Sequence, residues 1–228
     1  MSPTWLERFS EAQIIGRRGV VDHVACRDAK TGERRVVIAT KEARLRELFD
    51  NIARLHGELS HPNIPTLDHR GRAAGTEYVA LRSAAFVDLE TMMPIALANH
   101  GFAPGATVAF LDAVIGAVRS AHARQICIGA FAGSNVVLSE AHIDVIGWGY
   151  PTSEADRRIV LDDTSFMHTA WEASFGAAAS PNGDLDAVAR FLHAILPASA
   201  MPPILLATLQ GKVDDHRALR APAGSPSS

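Results

Sequence analysis

Residues 126–149 read ICIGAFAGSNVVLSEAHIDVIGWG. Two short apolar runs, Val136-Val137-Leu138 and then Ile143 with Val145 and Ile146, lie on either side of a turn and predict short strands. Asn135 stands just before the first run, and Gly147-Trp148-Gly149 follows the second. From Ile128 to Leu138 there is neither an acid nor a base. A site built on this stretch can offer an amide, a hydroxyl and backbone groups, but no charged side chain.

The stretch resembles the catalytic core of a protein kinase stripped of its reactive side chains. In that family an Asn follows five residues after the Asp of a His-Arg-Asp triplet and leads into an apolar strand. Asn135 matches that Asn, and the catalytic Asp position is then Ala130. A methyl group cannot accept the proton of a substrate hydroxyl. The loop lysine position is Ala132, and the residues ahead of Ala130 are Ile128 and Gly129. Gly147-Trp148-Gly149 resembles the Asp-Phe-Gly element with Gly147 in place of the magnesium-binding Asp. Magnesium favours carboxylates together with substrate phosphates, so Asn135 alone would hold it poorly.

Working outward, Ile15-Gly16-Arg17-Arg18-Gly19-Val20-Val21-Asp22-His23-Val24 is similar to the glycine-rich hairpin that covers nucleotide phosphates, with two of its glycines present. Val20 or Val21 stands near the third, where a β-branched side chain opposes close backbone approach. Thr31-Gly32-Glu33 reads as a hairpin turn, and Val36-Val37-Ile38-Ala39 as the next strand. The resemblance makes Ala39 the phosphate-anchoring lysine position. Lys41, two residues on, would emerge on the face of Ala39 and is a candidate relocated anchor, against a plainer reading as a solvated residue before the following helix.

That helix carries Leu45, Leu48, Phe49, Ile52, Leu55 and Leu59 at the spacing of one apolar face. It ends at His61-Pro62-Asn63-Ile64, where Pro62 cannot continue it. The glutamate that pairs with the anchoring lysine falls at Ile52 by the resemblance. Both members of that ion pair are thus apolar, which is self-consistent, because removing only one would strand a buried charge.

The order of segments carries the resemblance along nearly the whole chain. Residues 78–89 read as the strand into the hinge, with Leu81 as gatekeeper and Arg82 where many kinases have an acid. Residues 106–123 predict a helix with Val108, Leu111, Ile115 and Val118 on one side. Asp184 matches the Asp that holds the catalytic-loop backbone, and serves equally well as an ordinary helix N-cap. Arg217 resembles the brace of the activation segment, with Glu172 as the nearest candidate partner. Between Leu196 and Pro202 the substrate-side helix has no room, so the resemblance implies an incomplete peptide-docking surface.

The fold implied is α+β and two-lobed: a protein kinase-like domain over residues 1–220. Its N-lobe, about 1–83, would be a five-stranded antiparallel sheet with one helix, and its C-lobe, about 84–220, a shortened helical unit. Residues 221–228, rich in Pro, Gly and Ser, read as a disordered tail. A chain of 228 residues with 47% hydrophobic content supports a sizeable core. The net charge is −3 and neither half of the chain clusters basic residues far beyond balance, so neither suggests a nucleic-acid patch, and the local run Arg34-Arg35, Lys41, Arg44 and Arg46 reads as a solvated face or a docking surface. Cys26 and Cys127 are the two cysteines, which fits a reducing, cytoplasmic compartment. No apolar run is long enough to insert in a bilayer, and the histidines lack metal-site spacing.

The resemblance implies a pseudokinase of the bacterial Ser/Thr type, with no cofactor and no metal, acting as a protein-interaction or allosteric module. Its partner would be another protein: an active kinase, a receptor or an assembly protein. Residues 150–180, matching the activation segment, are a candidate contact region. Two other readings stay open. One is a nucleotide-dependent enzyme with a rearranged site using Lys41, Asp144 or Asp22, although strand alternation turns Asp144 away from the cleft. The other is a regulator that binds nucleotide without metal.

Overall fold

The computed structural model describes residues 7–89, 91–92, 104–128, 131–140, 142–149, 183–185 and 187–188. Short turns organise its first sheet. After Asp28 the chain reverses through Thr31-Gly32-Glu33, where the Asp28 carboxylate accepts the amides of Lys30 and Thr31 at 2.9 Å each and Gly32 adopts φ +73°. This joins β2 (Val21–Asp28) to β3 (Arg34–Thr40). Together with β1 (Phe9–Arg18), β4 (Leu67–Ala73) and β5 (Thr76–Leu81) they make an antiparallel sheet in the order β1-β2-β3-β5-β4.

Alternation along the strands divides the sheet into two apolar faces. Phe9, Val24, Cys26, Val37, Ala39, Tyr78 and Ala80 cluster on the outer face. Val21, Val36, Ile38, Val79 and Leu81 point inward with Ile15, and helix α1 (Arg46–Glu58) covers them. The helical face predicted from spacing is the buried one: Leu45, Phe49 and Ile52 are fully enclosed, and Leu48, Leu55 and Leu59 nearly so. Leu45 lies in the single turn ahead of the helix. Each such side chain contributes about 1.5–3 kcal/mol of burial. α1 stops when Leu59 turns extended, its amide still bonded to the Leu55 carbonyl at 2.9 Å, and Pro62 follows.

The chain then crosses to a second unit. A small sheet in the order β6-β7-β8 combines β6 (Val87–Asp88), β7 (Val136–Leu138) and β8 (Ile143–Val145). Helix α2 (Pro104–His122) packs on it through Val114, Ala117, Val118 and Ala121. Its described buried stripe therefore differs from the expected one: Val118 belongs to it, whereas Ile115 is only half-buried. Alanines supply much of the stripe, so the hydrophobic spacing of larger residues misplaced its centre. α2 closes in a Schellman geometry, with Gln125 N bonded to His122 O at 2.9 Å and Ile126 N to Ala121 O at 3.1 Å. Gln125 holds φ +59° there, a position that favours glycine.

The two units are tied by the His61–Ile64 connection. Asn63 donates its side-chain amide to the Ile143 carbonyl at 2.8 Å and accepts the Val145 amide at 2.7 Å. Trp148, fully buried, inserts among Leu55 of α1, Leu59 just after it, and the α2 stripe. No described helix is long and apolar enough to cross a membrane. Expectations for Ala130, for residues 150–180 including Glu172, and for everything from Leu196 through Arg217 to the tail fall outside the described residues.

Candidate functional site

The cleft between the units is built first by the β1–β2 hairpin. Arg18 pairs with Val21 across a two-residue turn, Gly19-Val20, and Gly19 takes φ +54°. Gly16 is required for a different reason: a Cβ there would lie 1.6 Å from Asp88 Oδ2. Asp88 in turn accepts the Thr91 amide at 2.7 Å, and the Thr91 hydroxyl donates to the Ile15 carbonyl at 3.2 Å. The hairpin is thereby fastened to the segment after the hinge. Burial raises the Asp88 carboxyl above its ordinary range, with the Thr91 bonds opposing the shift.

The two arginines of the hairpin part company. Arg17 stays exposed and meets Asp22 at 2.6 Å. Arg18 turns inward, is fully buried, and donates from Nη1 to Asn135 Oδ1 at 2.8 Å. Gly-x-Gly-x-x-Gly spacing from Gly16 puts Arg18 at the second glycine and Val21 at the third. A guanidinium thus reaches into the space that a glycine would leave for phosphate.

Asn135 is a hub. Its Oδ1 also accepts the Ala132 amide at 2.8 Å, its Nδ2 donates to the Ile146 carbonyl at 3.0 Å, and its own carbonyl accepts the Ile146 amide at 2.8 Å. Both ends of the side-chain amide are committed within the chain. Ala132, buried and apolar, contributes its backbone amide only. Beside the pair lies His23, also fully buried on the inner face. Burial, followed by the Arg18 charge, pushes its imidazole down to about 3, against a weaker opposing bond to the Ser134 backbone. His23 is therefore neutral.

The strand assignment differs by one residue from the expected one. Ala39 belongs to the outer face with Phe9 and Tyr78, whereas Ile38 shares the inner cluster with Ile52 of α1. The apolar pair that spans strand and helix is accordingly Ile38–Ile52. Lys41 is exposed and lines an outer groove of about 540 Å³ with Ala39, Ile14 and Asp22. Neither Lys41 nor Asp22 faces Asn135. Asp144 accepts from the Ser83 hydroxyl at 2.6 Å and lies 3.2 Å from His142, turned to the hinge; burial raises its carboxyl despite both neighbours. Gly147 holds φ +73° and Gly149 φ +82°, and the indole of Trp148 donates to the Val145 carbonyl at 3.0 Å.

Beneath the loop, Asp184 Oδ2 accepts the Ile128 amide at 2.8 Å and meets His122 Nε2 at 2.9 Å. The basic run Arg34 to Arg46 does not form one patch. Arg35 is buried against Glu33 and Asp68, Arg44 meets Glu42, and Arg46 reaches the buried Glu77. Burial pushes the Glu77 carboxyl up, but Arg70, at 2.6 Å, and Arg46 outweigh it and hold the group below its ordinary range.

Three residues of the site escaped sequence reasoning: Arg18, His23 and His122. Only Arg18 had a legible signal, its place at the second position of the glycine spacing. The described cleft residues do not fit a magnesium–nucleotide complex. The asparagine oxygen is taken by a guanidinium and an amide, the Asp-Phe-Gly-like carboxylate is absent at Gly147, and the strand–helix pair is aliphatic.

A five-stranded sheet with one covering helix, a hinge, and a helical unit carrying the Asn135 loop define a protein kinase-like fold. Solved structures agree. The chain is similar to the kinase domain of PknI from Mycobacterium tuberculosis, at 20% identity and a TM-score of 0.59 over 86% of this chain and 75% of that one. A double-mutant form of the same domain gives 20% identity and a TM-score of 0.61 over 92% of this chain and 84% of that one. At this identity the likeness is one of fold. No family model matches the chain, and no curated protein matches it.

Proposed function

We propose that this chain is a kinase-fold protein that does not transfer phosphate and works as a protein-interaction or allosteric regulatory module. The observation that carries the reading is the fully buried Arg18 bonded to Asn135 Oδ1. The cationic side chain spends its charge on the chain's own amide, and the amide that would face a metal is used up. Ile38 and Ile52 leave no lysine–glutamate lever between strand and helix, so a switch of α1 would be driven by packing against a partner rather than by nucleotide. The partner in this reading is another protein, an active kinase, receptor or assembly protein, in the cytoplasm.

A thermal-shift titration with ATP, alone and with magnesium or manganese, tests this, since any ligand bound only by the native state raises Tm by mass action. The expected result is no shift in any condition and no transfer of labelled phosphate to added protein. A metal-dependent shift with transfer overturns the reading, and a metal-independent shift replaces it with a nucleotide-binding regulator.

A further inference from the structure

We propose that His122, Cys127 and Asp184 form a binding site for a d-block divalent cation, zinc above all, at the base of the Asn135 loop. The His122 Nε2, the Cys127 Sγ and a carboxylate oxygen of Asp184 all lie within 4.8 Å of one another. Ligand atoms about 2.0–2.3 Å from a tetrahedral zinc sit roughly 3.3–3.8 Å apart, so the trio closes on an ion by about an ångström of side-chain movement. One imidazole, one thiolate and one carboxylate make a borderline-to-soft donor set that suits zinc or cobalt and disfavours magnesium and calcium.

The three ligands come from separate parts of the chain. His122 ends α2, Cys127 follows its Schellman turn, and Asp184 belongs to a helical segment far along the sequence. Outer support is also in place, because the Ile128 amide already orients the Asp184 carboxylate at 2.8 Å. His122 Nε2 and Asp184 Oδ2, 2.9 Å apart, share a proton where a cation would sit. Binding therefore replaces that proton and the Cys127 thiol proton, both of which leave to solvent, and forms N–metal, S–metal and O–metal bonds. His122 and Cys127 are half-buried rather than enclosed, which leaves an entry path. The ion would pin the loop's base to α2 and to the segment of Asp184. This inference concerns the base of the loop and is independent of how the cleft is read.

Titration of the full chain with Co(II), followed by competition with Zn(II), tests it. The expected result is one equivalent bound, with a near-ultraviolet thiolate-to-cobalt band and visible bands of tetrahedral intensity, both bleached by zinc. Cys127→Ser abolishes the thiolate band and weakens zinc binding by more than the roughly 10–100-fold that loss of an outer-shell partner costs. Cys26→Ser leaves both unchanged, because Cys26 is buried in the sheet with its thiol on the Arg35 carbonyl. Absence of stoichiometric binding, a thiolate band that survives in Cys127→Ser, or binding with no thiolate band overturns the assignment.

Discussion

Lowering the pH from 7 to 5 puts the closed cleft to a quantitative test through His23. In the unfolded chain its imidazole titrates at about 6.5; in the folded chain burial and Arg18 push it down to about 3. A group whose folded value is depressed favours the native state above its unfolded value and withdraws that support as the pH falls below it, because the unfolded chain takes the proton first. Across two pH units ending well above 3, His23 costs about 2 kcal/mol of stability. His56 has the same sign, pushed to about 4 mainly by burial, and the raised Asp88 and Asp144 act in the opposite direction. These contributions cancel when the wild type is compared with His23→Gln, which stays neutral and can still bond the Ser134 backbone. Urea denaturation of both proteins at pH 7 and pH 5 should show the wild type losing about 2 kcal/mol more than the variant. Parallel losses, within about 0.5 kcal/mol, would mean that His23 titrates as if water reached it. The inference that hairpin and loop seal the cleft would then fail.

Two further outcomes follow from the backbone and the sheet. Gln125→Gly should stabilise the chain by about 0.5–1 kcal/mol, because φ +59° strains a side-chain-bearing residue and glycine removes the strain; a loss of stability in urea would refute the cap assignment. Ile38→Lys should cost roughly 3–5 kcal/mol by leaving an unpaired charge between sheet and α1. Ala39→Lys, on the outer groove, should cost no more than about 1.5 kcal/mol, its stem lying along the groove toward water. Equal costs by chemical denaturation would contradict the placement of these two residues on opposite faces.

The contrast between Ile38 and Ala39 shows why part of the site could not be read from residues in order. Val36-Val37-Ile38-Ala39 is apolar on both faces, since a helix covers one side and on the other Val37 and Ala39 cluster with Phe9 and Tyr78 of the same sheet. Without alternation, only the pairing with β2 and β5 and the position of α1 decide which residue faces the cleft. α1 was legible because its two faces differ, with Phe49 and Ile52 buried while Arg54 and Glu58 pair at 2.9 Å in solvent. Arg18 illustrates the opposite case. Its place in the glycine spacing marks it as unusual, but an arginine beside a turn ordinarily reads as solvated, and the group that receives it, Asn135, lies 117 positions away. The basic run from Arg34 to Arg46 misled for the same reason, because Asp68 and Glu77, which break it up, come from β4 and β5.

Arg18 also sets an energetic threshold for any ligand of the cleft. A charge-assisted hydrogen bond is worth roughly 1.5–3 kcal/mol, and a nucleotide seated under the hairpin must first break the one from Arg18 to Asn135. That alone lowers apparent affinity by about 10–100-fold. Among the described residues the charges that would compensate a phosphate are lacking between strand and helix, because Ile38 and Ile52 fill that space and Gly147 brings no carboxylate for a metal. A single guanidinium cannot neutralise a triphosphate in a buried setting, where each uncompensated charge costs several kcal/mol. In the reading proposed above, a partner that displaced the hairpin by breaking the Asp88 and Thr91 contacts with β1 would move Arg18 with it, and with Arg18 its hydrogen bond to the Asn135 loop.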